Sequence, residues 1–166
     1  MDTTEIVIRL RKIIRSINLE SKKIQKEYGV SIPQVLCLNY LYQSPGYQST
    51  QGKIRKFMNL NPSTVSGIIN RLEAKNLLAR LPKLGDKRVV NIVLTSRGSK
   101  LLENVPPLLH EQLSRKLQFL DQQKISQISE SLNILINMLD IQNLEASPVI
   151  TIDEYMEDPE RELPQS

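Results

Sequence analysis

After Leu77 the spacing of the apolar residues changes from about 3.6 to 2, and at Thr95 it changes back. Leu78-Ala79-Arg80-Leu81 and Val89-Val90-Asn91-Ile92-Val93-Leu94 are β-rich runs on either side of Gly85-Asp86. Two such runs around a Gly-containing turn predict a β-hairpin. A chain that reads as helical before and after one hairpin is mainly α with a small β element.

The helical parts are delimited by local signals. Ile6, Leu10, Ile13, Ile17 and Ile24 recur at spacings of three, four or seven, the stripe of an amphipathic helix that Gly29 ends. Ser31-Ile32-Pro33-Gln34 reads as a capping box with Pro in the first turn, opening a second helix through Val35, Leu36, Leu38 and Leu41. Ser44-Pro45-Gly46 stops it. A short third helix is predicted from Ser49 or Thr50 to about Met58. Asn61-Pro62 places an N-cap before Pro at the start of a fourth, whose buried side is Val65, Ile68, Ile69 and Leu72. Thr95 caps a long helical stretch to about Leu120, which Pro106-Pro107 must bend or interrupt. Asp121 caps a last helix with Ile125, Ile128, Leu132, Leu135 and Leu139 three and four apart, a seam of the coiled-coil kind. With few other large apolar elements to cover it, that seam reads as dimer packing.

Charge is distributed unevenly. Residues 1–144 carry 21 basic and 11 acidic side chains, a net of +10, whereas residues 145–166 carry 1 and 7, a net of −6. A basic body points to a polyanionic partner. The acidic segment, dominated by Pro, Glu and Asp from Ser147 onward, reads as a disordered tail. One Cys allows no internal disulfide, and one His with one Cys cannot build a His- or Cys-rich zinc site, so neither a metal nor a cofactor is expected. No apolar run approaches the ~20 residues of a membrane helix, and no signal peptide is evident, so a cytoplasmic location is expected. There is no Gly-rich phosphate loop, no paired carboxylates and no nucleophile–base pair, which argues against an enzyme.

Two short helices joined across Asn59-Leu60-Asn61 and followed by a basic hairpin make a winged helix-turn-helix. In such a unit the second helix enters the major groove of DNA with its N-terminal residues at base edges. Here that end is Asn61, Ser63, Thr64 and Ser66, with Gly67 beside them and Asn70 and Arg71 further along. The N–H groups of its first turn also favour a phosphate. The hairpin supplies Lys83, Asp86, Lys87 and Arg88, with Arg88 placed for backbone or a narrow minor groove and Asp86 shaping the tip. Lys53, Arg55 and Lys56 on the preceding helix add charge for phosphates. Each residue also has a plainer reading: the serines as caps, the cations as solvated charge.

These residues resemble the MarR-type winged-helix transcription regulators. The likeness runs through NPSTVSGIINRLEAKNLLAR (residues 61–80) and GDKRVVNIVLTSRG (residues 85–98), with Asp86, Arg88, Leu94, Thr95 and Gly98 at the family's spacings. Asn76 departs from it, standing where a Gly commonly ends the recognition helix, and Gly52 loosens the helix before. The resemblance implies one domain over residues 1–144: a winged helix-turn-helix over 31–96, with dimerisation helices at 1–28 and 97–144. It further implies a homodimer on a pseudo-palindromic DNA site, usually a repressor released by a small molecule. An effector pocket between the dimer helices and the DNA-binding part would draw on Arg15, Tyr40 and His110. Cys37, within Val35-Leu36-Cys37-Leu38 and far in sequence from any base, reads as core rather than as an oxidant sensor. The competing reading is a winged-helix protein-interaction module without sequence-specific DNA binding, which a mostly apolar exposed face would favour.

Overall fold

The computed structural model describes residues 3–83 and 85–144. They fall into two compact units that divide between Val105 and Pro106.

The first unit opens with α1 (Thr3–Tyr28), which ends as expected where Gly29 turns left-handed at φ +68° and donates its N–H to Gln25. Helix α2 (Ile32–Gln43) begins with the expected reciprocal cap. Ser31 Oγ accepts from the Gln34 N–H, and Gln34 Oε1 accepts from the Ser31 N–H. That exchange lets Gln34 be buried without an unsatisfied amide oxygen. The helix is buried from Ile32 through Leu38 and again at Leu41, and it packs against α1, every following helix of the unit and the sheet. A helix that is apolar nearly all round is the hub of the core rather than a surface layer.

A 3-10 turn (Pro45–Tyr47) leads into β1 (Gln48–Thr50), which the sequence reading did not anticipate. Thr50 then caps α3 (Gln51–Met58), its side chain accepting from the Lys53 N–H. Helix α4 (Pro62–Ala74) follows after a turn in which Asn59 is left-handed, at φ +51°. The hairpin is β2 (Leu78–Lys83) and β3 (Asp86–Leu94). The sheet is antiparallel with order β1-β3-β2, so the wing strand β3 lies between its hairpin partner and the three-residue β1. Gln48 pairs Val93, Thr50 pairs Asn91 and Leu78 pairs Leu94, with an irregularity at Pro82/Lys83.

Helix α5 (Ser96–Asn104) is fastened to the end of α4 by the Leu-Thr-x-x-Gly segment. Thr95 Oγ1 accepts from the Gly98 N–H and donates to the Asn76 carbonyl, while the Thr95 N–H donates to Leu77. A methyl group built on Gly98 would stand 2.1 Å from the Leu77 carbonyl oxygen and 2.7 Å from Leu94 Cδ1, so only glycine admits this contact. Asn76, the departure from the family's glycine, occupies the left-handed region at φ +57°, which Asn tolerates better than other side chains.

In the second unit Pro106 and Pro107 separate α5 from α6 (Leu109–Leu117), so the stretch expected to reach Leu120 is two helices. Glu111 accepts from the Leu108 N–H at the start of α6. Helix α7 (Gln122–Met138) is capped by Asp121, as expected, through a 2.8 Å bond from the Lys124 N–H. None of its residues is buried. The acidic segment 145–166 lies outside the described residues.

Candidate nucleic-acid interface

The start of α4 is held by Asn61. Its Oδ1 accepts from the Thr64 N–H at 2.9 Å and from Ser63 Oγ at 2.7 Å. The expectation that first-turn N–H groups are open to a phosphate therefore fails at Thr64, because the cap side chain has taken that donor. Val65, Ile68, Ile69 and Leu72 are fully buried and anchor the helix in the core. The opposite face carries Ser63, Gly67 and Asn70 at spacings of four and three, so they stack on one side. Ser63, Asn70 and Arg71 are exposed, and Thr64, Ser66 and Gly67 are half-buried. This face is polar and small, unlike the apolar surface that a protein-binding module would present.

Two bonds on this helix escape sequence reasoning. Gln51 Nε2 donates to Ser66 Oγ at 2.6 Å, joining α3 to α4 inside the helix-turn-helix. Arg80 on β2 reaches α4, donating through Nη1 to the Glu73 carboxylate and through Nη2 to Asn70 Oδ1 at 2.7 Å. No local pattern marks the pairings that Gln51, Glu73 and Arg80 make. Their partners lie seven to fifteen residues away and meet only on folding.

On α3, Ile54 and Met58 are buried, and Lys53, Arg55 and Lys56 are exposed without an ion pair among the described residues. Lys75 behaves differently. Its Nζ donates to the Gly29 carbonyl, and burial followed by the neighbouring Arg71 charge lowers its pKa from the ordinary 10.5. Lys83, Asp86, Lys87 and Arg88 belong to β2 and β3 by backbone, and their side chains lie outside the described part.

The residues named for an effector pocket are divided between the two units. Arg15 is exposed on α1. Tyr40 is half-buried on α2, stacks on Phe57 with ring centroids 4.6 Å apart and accepts from Ser49 Oγ at 3.5 Å. His110 belongs to the second unit, where its Nδ1 is buried with no hydrogen-bond partner among the described residues. An open pocket of about 360 Å³ in the first unit is lined by Tyr47, Leu94, Thr95, Ser96, Ser99, Lys100 and Glu103. Cys37 is buried, as expected of a core residue, and burial pushes its thiol up to about 12. Among the described residues no His, Cys, Asp or Glu cluster could hold a metal, and no helix is long and apolar enough to cross a membrane.

This arrangement has known counterparts. The sequence pattern of the MarR family matches residues 30–90, the span from the start of α2 into the wing. The HTH-type transcriptional repressor MdtR of Bacillus subtilis is 28% identical over 124 residues, covering 75% of this chain and 79% of MdtR. Among solved structures, a Staphylococcus aureus MepR–DNA complex aligns with a TM-score of 0.60 at 25% identity, over 84% of this chain and 99% of MepR. AbsC, a MarR family transcriptional regulator from Streptomyces coelicolor, shares the fold with a TM-score of 0.58 at 23% identity, over 86% of this chain and 97% of AbsC. Residues 30–90 thus match the MarR family in sequence, and over about three quarters of its length the chain is similar to an HTH-type transcriptional repressor.

Proposed function

We propose that the protein is a sequence-specific DNA-binding transcription regulator, a homodimer acting in the cytoplasm as a ligand-responsive repressor on a pseudo-palindromic operator. The observation that carries this reading is the exposed face of α4. It is a strip of small polar side chains around an open glycine, rigidly capped by Asn61, with the free cations of α3 on the preceding helix. Such a face fits the major groove, where Ser63, Thr64, Asn70 and Arg71 reach base edges or flanking phosphates. Lys53, Arg55 and Lys56 neutralise backbone phosphates, and Lys83, Lys87 and Arg88 of the wing extend the contact to the neighbouring groove, with Asp86 at its tip. The MepR relative was crystallised with DNA, which supports the same reading.

Dimerisation is supported by apolar surface that one chain leaves uncovered. Ile128, Leu132, Ile134 and Met138 of α7 are 40–75% exposed, and Ile6, Val7, Ile13 and Ile14 of α1 are 44–58% exposed. Apolar stripes of this kind on long helices mark association surfaces. We read residues 1–144 as one regulatory domain with 145–166 as an appended acidic segment.

Mobility shifts over a salt series test the reading. Arg88→Ala is expected to weaken binding to operator and random duplex alike and to lower the salt slope by about one unit. Thr64→Ala is expected to act at particular base pairs with little change of slope. Arg88→Ala leaving slope and affinity untouched would remove the wing from the interface.

A further inference from the structure

Arg80 joins the wing to the recognition helix through two different groups. Its Nη1 donates to the Glu73 carboxylate and its Nη2 to Asn70 Oδ1 at 2.7 Å. Glu73 and Asn70 are three residues apart on α4, so one planar guanidinium spans a helical turn with both arms engaged. Glu73 offsets the charge of Arg80, which therefore differs from the unpaired cations of α3. Asn70, in turn, lies on the same face as Ser63 and Gly67. The terminal torsion of an asparagine is broad and roughly two-fold, so a free Asn70 would present either its carbonyl or its amine outward. With the carbonyl drawn to Arg80, the NH₂ group is turned away from the wing.

We infer that Arg80 is a positioning residue for base reading: it holds the Asn70 amide in one orientation, so that its N–H groups face an acceptor in the major groove. Guanine O6 and N7 and thymine O4 are acceptors of that kind. This rests on the DNA-binding reading above. It makes the wing strand part of the specificity of the recognition helix, although Arg80 itself need not touch DNA. A pair that served stability alone would hold α4 against β2 without favouring any base.

A double-mutant cycle on full-length protein separates the two, using an operator selected by the wild type and its single-base-pair variants. Asn70→Ala is expected to erase discrimination at one base pair, on the order of tenfold. Glu73→Gln/Arg80→Met, which leaves net charge unchanged, is expected to erase discrimination at the same pair. Adding Asn70→Ala to it should then cost nothing further there, the non-additivity of residues acting as a unit. Thermal unfolding checks that each variant is folded. Arg80→Lys provides a second route, since an ammonium can keep Glu73 paired but lacks the fork to hold both groups, and it too should lose that discrimination. Uniform weakening across all operators, additive with Asn70→Ala, overturns the inference, as does full discrimination by Arg80→Lys. Asn70→Ala without a base-pair-specific loss also overturns it, while leaving the DNA-binding reading intact. A wild-type protein that selects no sequence overturns that reading, and the positioning role with it.

Discussion

Replacing Gly67 by alanine should make the protein more stable and a poorer DNA binder. Gly67 lies inside α4, five residues after the first helical position, Pro62. Glycine in a helix interior is less favourable than alanine by about 0.5–1 kcal/mol, through backbone entropy lost on folding. Fold packing gives no reason for glycine there. A methyl group at this position would meet only the Arg71 guanidinium, at 4.0 Å, an ordinary contact with the end of a flexible side chain. Nor does the backbone require it, since Gly67 is not among the residues with positive φ. The full propensity gain of roughly 0.5–1 kcal/mol should therefore appear in urea unfolding as a higher midpoint at unchanged m-value. Protomer concentration must be held fixed, because association shifts apparent stability. The same methyl group projects from the face bearing Ser63 and Asn70 and would hold the helix backbone off the groove, so operator affinity should fall. A destabilised Gly67→Ala protein would refute the packing argument. A stabilised one that binds operator as tightly as the wild type would refute the claim that glycine serves close approach to DNA.

Gly98→Ala should have the opposite sign on stability, since its methyl meets backbone at 2.1 Å. A loss on the order of 1–3 kcal/mol or more is expected in urea unfolding. Leu132→Glu with Leu135→Glu puts charge at the exposed Leu132 and the half-buried Leu135 of α7 and should give monomeric or unfolded protein in sedimentation, whereas folded dimers would move the interface elsewhere. Cys37 should resist thiol reagents in the folded protein and react on unfolding, because the thiolate is the reactive form and burial raises the pKa. The linked stability follows in sign: the raised folded pKa means that stability from this group is intact below the unfolded value of 9.0 and declines as pH rises toward about 12. Rapid labelling of the native thiol at neutral pH would contradict the core assignment.

What was legible in the sequence was local. The caps at Ser31, Asn61, Thr95 and Asp121 each join a side chain to a backbone N–H three residues on, so residue type and spacing suffice to find them. The hairpin was legible because alternation over several residues survives without knowledge of the partner strand. Strand β1 was not, since Gln48–Thr50 has no period of its own and is extended because it pairs with residues 91–93 of β3. The interface divides the same way. The exposed strip of α4 follows from helical periodicity once the buried residues are placed. The bonds that orient it, Gln51 to Ser66 and Arg80 to Asn70 and Glu73, arise between elements and leave no trace in spacing. Gly98 stands between the two cases. Its place in the resemblance was readable, but its reason, a close approach to Leu77, is tertiary.

Selection of bound duplexes from a random DNA library by the wild-type protein tests the central claim most directly. The expected outcome is a pseudo-palindrome whose half-sites are one helical turn apart or a multiple of it, as a two-fold dimer with one recognition helix per protomer requires. Affinity for it should exceed that for random duplex by about 10³-fold or more at physiological salt. Recovery of no enriched sequence, with salt-sensitive binding equal for all duplexes, would contradict sequence reading by α4 and leave only the attraction of a basic body for a polyanion.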